Sequence, residues 1–248
     1  VNRFLPLAGA VGAIGLWWGA TVLFGIDAFF LPAPPDIVAA FLAQPGYLLR
    51  EAGNTLTGTV VGFAVAVAAG LLLAVLLTAW RGLERATLPV LVALNSVPKV
   101  AVAPLLVVWL GFGNRPKIVL VVLICFFPVL VATMAGLTST PVEIAELGRS
   151  LSASSWQTYL KLRLPWALPQ VFVGLKVAIS LAVIGAVVAE ISNPGEGLGT
   201  VIVMSGMSFD TPLAFAAIVL LALLSTALFY LVVACERLLV PWAELITG

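Results

Sequence analysis

Four intervals of this 248-residue chain contain no charged residue: 4–26, 52–80, 118–142 and 211–235. The hydrocarbon core of a bilayer is crossed by about 20 apolar residues of helix, whose backbone groups pair with one another where water cannot reach them. Each interval is long enough. Two further apolar stretches, about 88–110 and about 168–190, reach spanning length once a lysine is admitted, Lys99 in the first and Lys176 in the second. The pattern predicts an all-α integral membrane protein with six transmembrane helices, at about 4–26, 52–80, 88–110, 118–139, 168–190 and 211–235. Composition agrees: with 62% hydrophobic and 9% charged residues and a mean hydropathy of +1.19, the chain has too little polar surface for a soluble globule of this length. No linker, low-complexity tract or internal repeat divides it, so residues 1–248 are read as a single membrane domain.

Several chemistries are excluded. A net charge of +1 cannot supply a basic face that neutralises a run of phosphates, so nucleic acid is not a partner. The chain has no histidine, and Cys125 and Cys235 lie in apolar stretches, where they read as small buried hydrophobes. There is no Gly-Lys dipeptide, hence no phosphate-binding G-x-x-x-x-G-K-[ST] loop, and no nucleophile with a base beside it. The first apolar run exceeds the roughly 7–15 residues of a secretory signal core and no small-residue cleavage site follows, so it is expected to be a retained helix.

Six crossings put both termini on one side. If that side is the cytoplasm, Arg3, Arg81, Arg85, Arg149, Lys161, Arg163 and Arg237 lie inside, against Arg50, Arg115 and Lys117 outside, which satisfies the positive-inside rule. Residues 140–168 then form a cytoplasmic loop between the fourth and fifth helices. Thr140, Pro141 and Glu143 have the spacing of a helix start with a capping box, and Ser154 with Gln157 forms a second box, after which Pro165 is expected to stop the run. In the first short helix Ile144, Leu147 and Leu151 share a face, leaving Glu146, Arg149 and Ser150 toward water or a partner. Two capped helices are more than a connection needs. An amphipathic helix offered to a groove on another protein is one use for them, and a hairpin lying on the bilayer is another.

The loop resembles a known motif. Glu146-Leu147-Gly148, Ser152 four residues after Gly148, and Leu162-Arg163-Leu164-Pro165 keep the spacing of the Glu-Ala-Ala, three residues, Gly, nine residues, Ile-x-Leu-Pro signature of permease subunits in binding-protein-dependent ATP-binding cassette (ABC) importers. LPAPPDIVAAF, NSVPKVAVAPLLVVWLGFG, SLSASSWQTYLKLRLPWALP, VVAEI followed by GLG, and ERLLVPW are similar to the nitrate, sulfonate and taurine branch of that family, which includes carriers of thiamine pyrimidine precursors. The resemblance implies a type I permease fold, whose coupling helix docks on a cytoplasmic ATPase. It implies as that contact Glu143, Glu146, Gly148, Ser152, Leu162, Leu164 and Pro165. It further implies a pair of ABC ATPase subunits that bind ATP and Mg, no cofactor in this chain, a second permease copy in a homodimer, an extracytoplasmic solute-binding protein, and a bacterial inner (cytoplasmic) membrane. Solute would cross by alternating access. Leu147 and Gly148 replace two alanines and Ser152 replaces the glycine at the bend, where a left-handed backbone is harder for serine.

Polar residues at membrane depth mark the remaining candidates, since a charge at the bilayer centre costs roughly 2.5–3.5 kcal/mol on insertion scales. Asn95, Ser96 and Lys99 surround Pro98, and either face a pathway between two permease copies or satisfy a broken helix. Lys176 is expected to snorkel to the cytoplasmic interface. Glu190 precedes Gly195, Gly197 and Gly199, either as part of an outer gate with a re-entrant turn or as an ordinary helix end. Met204 and Met207 line the path or pack. Residues 31–51 read as an extracytoplasmic interfacial helix or a spacer, and with the 192–210 loop they are the expected docking surface for the solute-binding protein. Gly15 with Gly19 and Gly58 with Gly62 have the spacing that lets helices approach. An ion-coupled secondary transporter, with Glu190 and the lysines as a relay, is the alternative.

Overall fold

A computed structural model of the chain describes residues 5–141, 143, 146, 150, 152 and 154–242, and every regular element among them is helical. In chain order these are α1 (Leu5–Leu23), α2 (Pro34–Ala43), α3 (Pro45–Ala79), α4 (Arg81–Asn95), α5 (Lys99–Leu110), α6 (Asn114–Thr138), α7 (Ser155–Thr158), a π turn (Tyr159–Arg163), α8 (Leu164–Ser192), α9 (Leu198–Met207) and α10 (Thr211–Leu239). Helix α6 lies between α3 and α8, while α10 packs on α8 and α9 and carries α2 against its outer surface.

The α3–α6–α8 centre depends on small residues, because lipid tails are as apolar as leucine and helices in a bilayer gain mainly from close van der Waals contact. Gly58, Gly62, Ala66, Gly70 and Ala74, at every fourth position, form a buried stripe on α3. A Cβ at Gly62 would lie 2.7 Å from Val121 Cβ, and one at Gly70 2.9 Å from Val129 Cγ1, so α6 sits directly on the α3 backbone. Gly174 of α8 meets Ala132 of α6 in the same way. Gly15 and Gly19 have no neighbour within 4 Å and make no such approach within this chain. Buried hydroxyls satisfy themselves on the preceding turn, Thr59 Oγ1 donating to Thr55 O at 2.7 Å and Thr133 Oγ1 to Val129 O at 2.7 Å.

Four helices are long and apolar enough to cross a membrane: Pro45–Ala79, Asn114–Thr138, Lys161–Ser192 and Thr211–Leu239. The expected span at 88–110 is broken at Pro98, as its sequence implies. It is a broken pair, Gly82–Asn95 and Lys99–Leu110, bent by 87°, which makes a fifth crossing if counted together. Pro98 has no N–H and disfavours helical backbone at Val97, so the helix ends there and restarts. Helix α1 adds a 19-residue, largely apolar helix at the periphery, where the Trp17 ring packs on that of Phe215.

Other expectations are corrected. Helix α3 begins at Pro45 rather than near 52, so that Arg50 and Glu51 lie on it. Cys125 is buried, with Sγ donating to Ala178 O at 3.1 Å, but Cys235 is exposed. Lys176 does not snorkel alone; its Nζ meets Glu236 of α10 at 2.8 Å. Pro165 does not stop its helix, since helical backbone runs unbroken from Ser155 to Ser192. The Leu164 N–H reaches back five residues to Tyr159 O, and this wider turn absorbs the place where the proline ring would press on the Lys161 carbonyl.

Replacing Gly62 by leucine is expected to cost about 1–3 kcal/mol through overpacking, whereas Gly15→Leu changes stability by no more than about 0.5 kcal/mol. Thermal unfolding of both variants in one detergent measures this. Equal melting temperatures would overturn the α3–α6 assignment.

Candidate functional site

Polar side chains gather at the two ends of the bundle. At one end the start of α3, the start of α6, the end of α8 and the start of α9 converge on the Glu190 carboxylate, which is buried completely. Lys117 Nζ pairs with Glu190 Oε1 at 2.8 Å, Thr55 Oγ1 donates to the same carboxylate at 2.9 Å, and the Gly199 N–H donates to Oε2 at 2.8 Å. A second carboxylate lies beside it. Glu51 Oε2 accepts from Gly197 N at 2.7 Å and Asn54 Nδ2 at 3.1 Å, while Oε1 accepts from Arg50 at 3.0 Å. The Leu198 N–H donates to Thr55 Oγ1 at 2.9 Å.

The chemistry of this cluster is that of a helix N-terminus held by anions. The first N–H groups of α9 have no partner within the helix, and two carboxylates and a hydroxyl take them. Gly197, at φ +110°, adopts a backbone that glycine favours, and any Cβ there would overlap the Glu190 carboxylate. A cavity of about 540 Å³ opens beside the pair, bounded in part by Phe112, Asn114, Lys117, Glu190, Asn193 and Glu196.

The opposite end carries the segment after α6. Glu143 and Glu146 have helical backbone and exposed side chains, and Ser152 is an exposed turn residue with φ +52°. The second capping box is made as expected: Ser154 N donates to Gln157 Oε1 at 3.0 Å and Gln157 N to Ser154 Oγ at 3.2 Å. The first lacks its bond, because Thr140 Oγ1 is buried without a hydrogen-bond partner. Leu162, Leu164 and Pro165 are half-buried in the π turn and the start of α8. Gly148, Ile144, Leu147, Arg149 and Leu151 lie outside the described residues.

The remaining candidates sit apart from both ends. Asn95, Ser96 and Lys99 lie at the 87° break, where Lys99 Nζ donates to Asn95 O at 3.0 Å and to Asn95 Oδ1 at 2.6 Å. A cavity of about 330 Å³ adjoins them, walled by Leu91, Val122, Phe126 and Phe127. Met204 and Met207 are exposed on α9. Sequence reasoning placed Glu190 correctly at a helix end but missed Glu51, Thr55 and Lys117. A signal was present: Glu51 and Lys117 each stand immediately before a charge-free interval, so the fold brings opposite charges to one level.

Comparison with known proteins then fixes the family. Residues 66–242 match the family model described as the binding-protein-dependent transport system inner membrane component. The chain belongs to this family. It is 38% identical over 228 residues to the riboflavin transport system permease protein RibX of Chloroflexus aurantiacus, covering 91% of this chain and 85% of that protein. It is 35% identical over 217 residues to the formylaminopyrimidine transport permease protein ThiX of Halalkalibacterium halodurans, covering 87% of each. A chain of the inward-facing MetNI methionine ABC transporter shares its fold, with a TM-score of 0.68 at 21% identity over 79% of this chain and 97% of that one. The protein is thus a multi-pass permease subunit of an ABC importer, an inner-membrane transport component that works with a binding protein and an ATPase. ATP hydrolysis resides in the partner subunit and no cofactor belongs to the permease. Family membership sets aside the ion-coupled alternative.

Lys117→Met leaves a carboxylate buried without its cation and is expected to cost about 3–5 kcal/mol. Lys117→Met with Glu190→Gln should recover most of that loss. Chemical unfolding in detergent measures the cycle, and additive single effects would show that the pair is not a unit.

Proposed function

We propose that this permease crosses the inner membrane six times with both termini in the cytoplasm, and that two copies enclose a pathway driven by alternating access. Helix α1, the broken pair α4–α5 and the four long helices are the six crossings. The 140–168 loop is the coupling segment that contacts the ATPase, through Glu143, Glu146, Gly148, Ser152, Leu162, Leu164 and Pro165. The observation that carries this reading is the backbone of Ser152, whose φ of +52° stands where the family signature has glycine. A bend that needs a left-handed residue is retained although the residue type has changed. The exposure of Glu143 and Glu146 supports it further.

The pathway between the copies is assigned to Asn95, Ser96 and Lys99, with Met204 and Met207 as adaptable apolar contacts. Glu190 holds the outer end of that pathway through its contacts with α9. The solute is a small organic molecule of the kinds that relatives carry. Formylaminopyrimidine and riboflavin are named for the proteins above, and aliphatic sulfonates for SsuC of Bacillus subtilis, 30% identical over 95% of this chain and 86% of that one. The extracytoplasmic binding protein docks on the α2 and 192–210 face.

Purification of the tagged chain from gently solubilised membranes, beside a Glu146→Arg form, tests the reading. The ATPase is expected with the wild type and is expected to fall at least about tenfold in the variant, as for truncation of a charge-assisted contact. Equal ATPase recovery from both forms would place the contact elsewhere.

A further inference from the structure

We propose that Trp242 is a positioning residue that ties the exit of the 140–168 loop to the end of α10, so that displacement of the loop carries α10 with it; this rests on the reading of that loop as the ATPase contact. Two prolines four residues apart create the opening. Pro169 has no N–H, so the Pro165 carbonyl lacks the donor that a regular helix supplies from four residues on. Trp242 Nε1 donates to that carbonyl at 3.2 Å, across 77 residues of sequence. An indole has one N–H and no acceptor, so this bond uses its whole capacity.

The tail after α10 is placed for the task. Helix α10 ends at Leu239, the Val240 N–H closes it on Glu236 O, and Val240 is buried at 1% exposure, which turns Pro241 and Trp242 back toward α8. A second tether stands about three turns further along α8. Lys176 Nζ contacts both Glu236 oxygens, at 2.8 and 3.0 Å. Together with the packing of α10 on α8, the two separated polar attachments fix its C-terminal end in position and rotation. Helix α10 in turn packs on α9, whose first turn is held by Glu190 through Gly199. The Pro165 carbonyl adjoins the π turn and belongs to the part of α8 that any movement of the loop reaches first.

The test uses the complete importer, permease with its ATPase subunits in lipid nanodiscs, compared by hydrogen exchange with and without ATP and vanadate. In the wild type, segments 155–163 and 230–242 are expected to change protection together. Trp242→Phe keeps a ring but has no donor. It should reduce the change in 230–242 about fivefold, the size of one net hydrogen bond, while 155–163 still responds. Pro169→Ala in the Trp242→Phe background gives the Pro165 carbonyl a donor inside its own helix. Continued loss of the linked response there supports the tether, and its recovery would show that Trp242 only caps a carbonyl and overturn the proposal. A wild-type response in Trp242→Phe overturns it too, as does a wild-type complex in which only 155–163 responds. If 155–163 does not respond in the wild type, the ATPase-contact reading fails and takes the tether with it. Should Trp242→Phe fail to assemble, Trp242→Leu, which removes the same donor, is measured in its place, and an undiminished response in 230–242 overturns the proposal.

Discussion

A lysine and a glutamate that meet at 2.8 Å, both almost wholly screened from solvent, decide how four helices end. Two buried charges gain from each other only when further hydrogen bonds replace the water they have lost. Glu190 therefore needs Thr55 and the Gly199 N–H as well as Lys117, and these come from α3, α9 and α6. None of the four elements can shift without exposing or orphaning one of the charges. Gly197 and Gly199 follow from the same demand. A Cβ at Gly199 would stand 2.8 Å from Glu190 Cβ, so the loop closes on the carboxylate only where side chains are missing.

The ion pair and the small-residue stripe are one arrangement. Gly58 lies under the aliphatic stem of Lys117, and a Cβ there would occupy the place of Lys117 Cδ. The stem lies on bare α3 backbone, and Nζ reaches past it to Glu190 and toward Asn54 O, 3.4 Å away. Close helix packing thus sets the depth at which the charge sits. Further along the stripe, Gly62 and Gly70 continue the contact with Val121 and Val129, so the seam that positions the charge also holds α3 to α6.

Much of this was legible because lipid imposes simple rules. A charge-free interval of spanning length has few folded options, and α6 and α10 lie close to where two such intervals placed them, as α8 does to the 168–190 stretch that admits Lys176. The capping box at Ser154 and Gln157 was equally local and formed as read. What escaped depended on residues distant in sequence. Lys117 counted only as an outer loop cation because its partner is 73 positions away, and Lys176 looked solitary until α10 returned Glu236 to it. Pro165 was read as a stop by its intrinsic preference, yet a π turn lets the helix continue through it. At 88–110 the break was legible from Pro98 itself, whereas its 87° angle was not, since neither hydropathy nor a proline sets the direction in which the second half leaves.

Prolines in apolar helices free carbonyls that lipid cannot satisfy, and at Pro98, Pro165 and Pro169 the chain answers with a particular group. The Asn95 carbonyl, terminal because Pro98 ends its helix, receives Lys99 Nζ. Before Pro165 the register widens to a five-residue turn. After it, Pro169 withholds a donor and Trp242 supplies one from the far end of the sequence. A polar side chain beside a proline at membrane depth therefore serves the backbone before it serves a solute. Lys99 spends two of its three donors on Asn95 and meets no carboxylate among the described ion pairs. Its charge is held in place by the break but not neutralised there, so the same lysine can end a helix and still present a cation to the adjoining 330 Å³ cavity.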